Sequence, residues 1–144
     1  MKTLVIFDSN FGNTQKIADQ VAAQFGTEAS SVSVSNFKKE DLQGMKLLIV
    51  GSPINAWNPT PKIKTFLSQL ESIGLKGIKA AAFDTRVKSF ISGNAAKKIA
   101  RGLEHAGAEI ITPPMGFYVN GKEGPLADGE MKRAEQWAQS MRAK

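Results

Sequence analysis

The stretch DSNFGNT (residues 8–14) stands directly after the apolar run TLVIF (3–7) and directly before QKIADQVAAQF (15–25), so the chain leaves a strand and starts a helix through a short, mostly polar connection. Such a connection packs weakly. What it offers is a set of backbone N–H groups at a helix start, where unpaired donors and the helix dipole together favour an anion, phosphate above all. Ser9, Asn10, Asn13 and Thr14 add side-chain donors, and Gly12 permits close approach to the backbone. The connection carries no Walker lysine, which argues against a P-loop nucleotide hydrolase. The competing reading is an ordinary strand-to-helix turn capped by Asn13 or Thr14.

Working outward, LVIF (4–7), LLIV (47–50) and AAAF (80–83) are apolar without alternation, as strands buried on both faces of a parallel sheet should be. SSVSVSNF (30–37) alternates valine with serine and belongs at a sheet edge. A fifth strand is expected within AEIITPPMGFYV (108–119), where Pro113 and Pro114 interrupt the ladder and are tolerated best at the other edge. Between these runs lie helical stripes: Ile17, Val21, Ala22, Phe25; Ile63, Phe66, Leu67, Leu70; Ala96, Ile99, Ala100, Leu103; and Ala134, Trp137, Ala138, Met141. Ser92 and Asp128 are the expected N-caps of the last two. Residues 41–44, in the short connection KKEDLQGM (38–45), are expected to form a turn or a stub of helix.

Strand, crossover helix and parallel strand in repetition imply an α/β fold, a three-layer doubly wound sheet of five parallel strands. With the edge strand beside the first, the order is 2-1-3-4-5. Open sheets of this kind bind ligands beyond the carboxyl ends of the strands, where the order reverses. At that edge fall DSNFGNT, GSPINAWNPTP (51–61) and DTRVKSFISG (84–93).

The chain of 144 residues, 42% hydrophobic, suits one domain over 1–144. No apolar run is long enough for membrane insertion and no signal-peptide pattern opens the chain, so a cytoplasmic location is the expectation. With no cysteine, disulfides, thiolate metal sites and iron–sulfur clusters are excluded, and redox chemistry would have to come from a bound cofactor. The formal charge of +6 favours an acidic partner. The basic residues are dispersed with little aromatic interleaving, so no nucleic-acid motif stands out.

DSNFGNT resembles the phosphate loop of the flavodoxin family, which runs hydroxyl residue, any residue, hydroxyl residue, Gly, Asn, Thr. The likeness continues through GSP (51–53) and AFDTR (82–86), and the chain has no room for the family insertion that splits the last strand, so the short-chain form is the closer match. The resemblance implies noncovalent FMN binding and electron transfer between redox partner proteins. It carries Ser9, Asn10, Gly12, Asn13 and Thr14 over to the phosphate. It carries Ser52, Pro53, Ile54, Asn55, Ala56 and Trp57 over to the isoalloxazine, with Trp57 as the stacking ring and Asn58 as a residue tolerant of positive φ. Asp84, Thr85 and Arg86 match the start of the third flavin loop.

Three features depart from the family pattern. Phe11 stands where a hydroxyl residue is usual and leaves its backbone N–H for the phosphate. The third-loop tyrosine is missing, with Phe90 as its candidate substitute. The chain is basic where typical flavodoxins are acidic. Arg86 and Lys88 are either solvated charges or lie at the pyrimidine end of the flavin, where positive charge would stabilise an anionic reduced ring. His105 and the pair Asp8 and Asp84 suggest no catalytic or metal role. Two rivals remain: an FMN-dependent NAD(P)H:quinone or flavin reductase, or related oxidase, on the same fold, and a flavin-free interaction module.

Overall fold

The three strands without alternation form the centre of the sheet in the computed structural model, which describes residues 1–88 and 94–144. They are β1 (Thr3–Phe7), β3 (Leu47–Pro53) and β4 (Lys79–Val87). β2 (Ala29–Ser33) pairs with the outer side of β1, and β5 (Glu109–Ile110) and β6 (Met115–Val119) both pair with β4. Every pairing is parallel, in the order β2-β1-β3-β4-β5. The crossovers are α1 (Asn13–Ala23), α2 (Pro61–Ile73) and α3 (Ala95–His105), and α4 (Glu130–Arg142) closes the fold.

Strand side chains alternate between two cores. Leu4, Ile6, Leu48, Val50, Ala80 and Ala82 face α2 and α3, whose Ile63, Phe66, Leu70, Ile99 and Leu103 are buried against them. Val5, Phe7, Leu47, Ile49, Ala81 and Phe83 face α1 and α4 through Ile17, Val21, Ala134, Trp137 and Met141. Both faces are covered, which is why the runs read as apolar throughout.

The structure departs from the sequence reading where side chains capture the backbone. The edge strand ends at Ser33, because its Oγ accepts the N–H of Ser35 (3.3 Å) and starts a 3-10 turn at Val34–Asn36. Phe37 then packs edge-on against Phe66. In the next connection the stub of helix spans Lys39–Leu42, with Asp41 Oδ2 accepting the N–H of Lys38 (2.9 Å). The fifth position in the sheet is filled by two pieces rather than one strand, β5 and β6, with Pro113 and Pro114 between them. Asn94 caps α3, its Oδ1 accepting the N–H of Lys97 (2.9 Å); Ser92, the expected cap, lies outside the described residues. Asp128 does not cap α4, whose N-cap is Gly129 at φ 85°. Phe25 falls just past the end of α1 and packs half-buried against the core.

Phe83, Phe117 and Trp137 meet edge to face with centroids 5.8–5.9 Å apart. Gly51 makes room for them, since a Cβ there would lie 2.1 Å from the Phe83 ring. Gly51→Ala is therefore expected to lower the unfolding free energy by about 3 kcal/mol through overpacking, read from the denaturant midpoint. Adding Phe83→Leu should recover part of that loss, and an unchanged midpoint in Gly51→Ala would show that the ring can move aside freely.

Candidate functional site

The connection after β1 folds on itself before the helix begins. The N–H of Asp8 donates to Gly51 O and extends the ladder by one bond (3.2 Å). Asp8 Oδ1 accepts the N–H of Ser9 (3.0 Å), and Ser9 Oγ accepts the N–H of Gly12 (2.9 Å). Gly12, at φ 90°, is the N-cap of α1; no side chain caps that start, and its first turn holds no acidic residue. These are the conditions for an anion at a helix N-terminus. Asn13 is buried and its Nδ2 donates to Glu123 O (3.2 Å), while the buried Thr14 and Thr85 hydroxyls bond each other (2.8 Å).

The loop after β3 is pinned at both ends. Ser52 is buried; its Oγ donates to Pro53 O (2.8 Å) and accepts the N–H of Thr60 (3.0 Å), the residue that caps α2. The N–H of Ile54 donates to Thr85 O (3.1 Å). At the tip, Asn55 and Asn58 exchange backbone hydrogen bonds of 2.7 and 3.0 Å around Ala56 (φ 49°) and Trp57 (φ 74°). Positive φ thus falls on Ala56 and Trp57 and not on Asn58. A two-residue hairpin of this twist requires it at both central positions. Asn58 instead closes the turn: its Nδ2 donates to Ala56 O (2.9 Å), and its Oδ1 accepts from Lys98 Nζ (2.7 Å).

At the end of β4, Asp84 is fully buried and holds Arg86 in a two-pronged pair, Nε to Oδ1 and Nη2 to Oδ2, each 2.7 Å. The N–H of Ala96, in the first turn of α3, also donates to Oδ2 (2.9 Å). Burial pushes the Asp84 carboxyl above its ordinary 3.8, against the opposing pull of Arg86 and the amides of Ala96 and Ala95. The Arg86 side chain lies close over Gly116, where a Cβ would come within 2.5 Å of its Nε. Arg86 is therefore a charge paired inside the protein rather than a solvated one. Lys88 is exposed, its Nζ 5.9 Å from the centre of the Tyr118 ring, and Phe90 lies outside the described residues.

These segments enclose a cleft of about 370 Å³. Ser9, Asn10, Phe11, Asn13 and Thr14 line it from the first loop, Pro53, Ile54, Asn55, Ala56 and Trp57 from the second, and Thr85 and Arg86 from the third. Gly12, Ser52 and Asp84 do not line the wall; Gly12 shapes the helix start, and the other two support the loops from beneath. Phe11, Trp57 and Val87 are large apolar side chains left 42–52% exposed around this one cleft. The sequence reading missed Val87, Val119 and Lys122 on its wall. The available signal was topological: the fifth sheet position ends at the same edge. Among the described residues no cluster of His, Asp and Glu could hold a metal ion.

A family model described as Flavodoxin matches residues 5–137. Flavodoxin 1 of Salmonella typhimurium is 29% identical over 135 residues, covering 89% of this chain and 76% of its own. A flavodoxin from the domain Archaea shares the fold with a TM-score of 0.85 at 19% identity, over 99% of this chain and 97% of that one. Rubredoxin oxygen:oxidoreductase from Desulfovibrio gigas shares it with a TM-score of 0.81 at 22% identity, over 99% of this chain and 36% of the other.

The Asp84 shift has a signed consequence. A carboxyl whose folded pKa exceeds its unfolded value binds its proton more readily when folded, so its stabilising contribution is complete below 3.8 and is lost as pH rises through the folded value. The stability of the native chain relative to Asp84→Asn is expected to shrink as pH climbs from about 3.5 to 7, measured by denaturant unfolding at each pH. A gap that widens instead would mean that pairing with Arg86 outweighs desolvation.

Proposed function

We propose, from the premise that this chain belongs to the flavodoxin family and is an FMN-binding electron-transfer protein, that the three-loop cleft is its flavin site. The observation that carries the assignment is the presence, in one cleft, of an uncapped helix start and a half-exposed tryptophan. The donor set fits the group. The N–H groups of Asn10, Phe11, Asn13 and Thr14 and the hydroxyls of Ser9 and Thr14 suit a dianionic phosphate; Ile54, Trp57 and Val87 suit a flat apolar ring. Bound FMN would supply one- and two-electron redox chemistry.

The residues of the chain hold the flavin and keep water from it. Phe11 contributes its backbone N–H to the phosphate loop. Trp57 offers its face to the ring, and the hydrogen bonds of Asn55 and Asn58 fix where that face stands. Arg86 brings N–H donors to the wall with its charge already balanced by Asp84. The cleft therefore supplies less net positive charge at the ring than a free arginine would.

The protein passes electrons to redox partners, and its charge of +6 points to acidic ones. Among the described residues no helix is long and apolar enough to cross a membrane. A cytoplasmic location goes with this reading.

Purified protein incubated with FMN, desalted and then photoreduced stepwise is expected to retain one flavin and to reduce in two resolved one-electron steps. Direct two-electron reduction, with oxidation of NADPH by the holoprotein, would favour the reductase; no retained flavin would favour the interaction module. Trp57→Ala should weaken FMN binding about 10- to 100-fold, the scale of losing one aromatic stack of roughly 1–3 kcal/mol. Flavin fluorescence on dilution measures it.

The bimolecular rate of electron transfer to an acidic carrier protein is expected to fall as ionic strength rises from about 0.05 to 0.5 M. Stopped-flow reduction at several salt concentrations decides it, and a salt-independent rate would remove the acidic partner.

A further inference from the structure

The cleft has a fourth contributor, the turn that follows β6. Val119 and Leu126 form an antiparallel bridge, and the N–H of Asn120 donates to Pro125 O (2.9 Å), so residues 120–125 make a closed turn. Its far end is fixed by Glu130, a buried carboxylate that accepts the N–H of Tyr118 (2.7 Å) and pairs with Arg133 (2.6 Å). Its near side is tied to the first loop: Asn13 Nδ2 donates to Glu123 O (3.2 Å), and Gly124 sits so close that a Cβ would lie 2.6 Å from that nitrogen. Lys122, one residue before the tied carbonyl, lines the cleft with Ser9, Asn10, Asn13 and Thr14. None of the ion pairs among the described residues involves Lys122.

We propose that Lys122 provides the counter-charge of the FMN phosphate, an ammonium brought to the start of α1 by the turn after β6; this rests on the flavin reading above. A cation there would add charge to the neutral donors of the first loop. A helix N-terminus offers about half an elementary charge, whereas a phosphate monoester carries between about one and a half and two negative charges at pH 7. The tie at Asn13 places the lysine beside the phosphate loop, at a residue whose own side chain is occupied in holding that tie. Asn13 then acts as a positioning residue, and Lys122 as the contact.

Riboflavin lacks the phosphate and separates this role from any contact with the ring. Holoprotein loaded with FMN or with riboflavin is serially diluted, and recovered flavin fluorescence gives each dissociation constant for the native chain, Lys122→Gln and Lys122→Arg. The proposal expects Lys122→Gln to weaken FMN about tenfold and leave riboflavin unchanged, Lys122→Arg to retain most of the FMN affinity, and the salt dependence of FMN binding to flatten in Lys122→Gln. An equal loss for both flavins would overturn it by moving Lys122 to the ring or to support of the turn. Unchanged FMN binding would overturn it outright. A native chain that holds neither flavin would instead remove the flavin reading on which the proposal stands.

Discussion

One row of polar residues at the carboxyl edge of the sheet organises everything the cleft needs. The row beneath it is Phe7, Gly51 and Phe83, in register across three central strands, with the glycine leaving space for the Phe83 ring. One step further along the same strands stand Asp8, Ser52 and Asp84. Each accepts a backbone N–H from the loop or helix that follows: Asp8 from Ser9, Ser52 from Thr60, Asp84 from Ala96. Buried backbone donors need partners wherever regular pairing stops. Where that happens here, one side chain per strand takes over and sets how its loop departs.

This arrangement lets strain accumulate at the tip without loosening the site. Ala56 and Trp57 both occupy the left-handed region, at about 1–2 kcal/mol each for residues with a Cβ. The tip keeps that shape through the paired backbone bonds of Asn55 and Asn58, the Asn58 amide on Ala56 O, and Lys98 from α3. A glycine at either position would relax the turn. It would also leave a more mobile loop, and at Trp57 no ring to place over the cleft. The strain buys a fixed tryptophan.

The central strands, helical stripes and strand order were legible in the sequence because burial on both faces writes itself as uninterrupted apolar runs and 3.6-residue spacing. The cleft was legible as loops, since Ser9 to Thr14 and Pro53 to Trp57 are contiguous and lie at strand ends. What was not legible depends on pairing across the fold. Nothing in DTR (84–86) says that Asp84 will turn back onto Arg86 rather than face solvent. Nothing near Lys122 marks it, because its place in the cleft follows from a bond between residues 110 positions apart. The Val34–Asn36 turn was hidden for a local reason: a serine hydroxyl competes with the ladder for the backbone and leaves no mark on hydrophobic periodicity.

The electrostatics of the chain therefore work on two separate scales. Asp84 and Arg86 are opposite charges in direct contact, and seen from beyond the protein surface their fields largely cancel. Their effect is confined to the cleft wall and the start of α3. The field that a partner meets comes from exposed lysines spread over the surface, and it is screened over roughly 8–10 Å at physiological salt. The long-range field and the charge balance of the Asp84–Arg86 wall thus come from different residues. A lysine away from the cleft, unlike Lys98 or Lys122, can change without moving it, and the Asp84–Arg86 pair can be altered with little effect on long-range attraction.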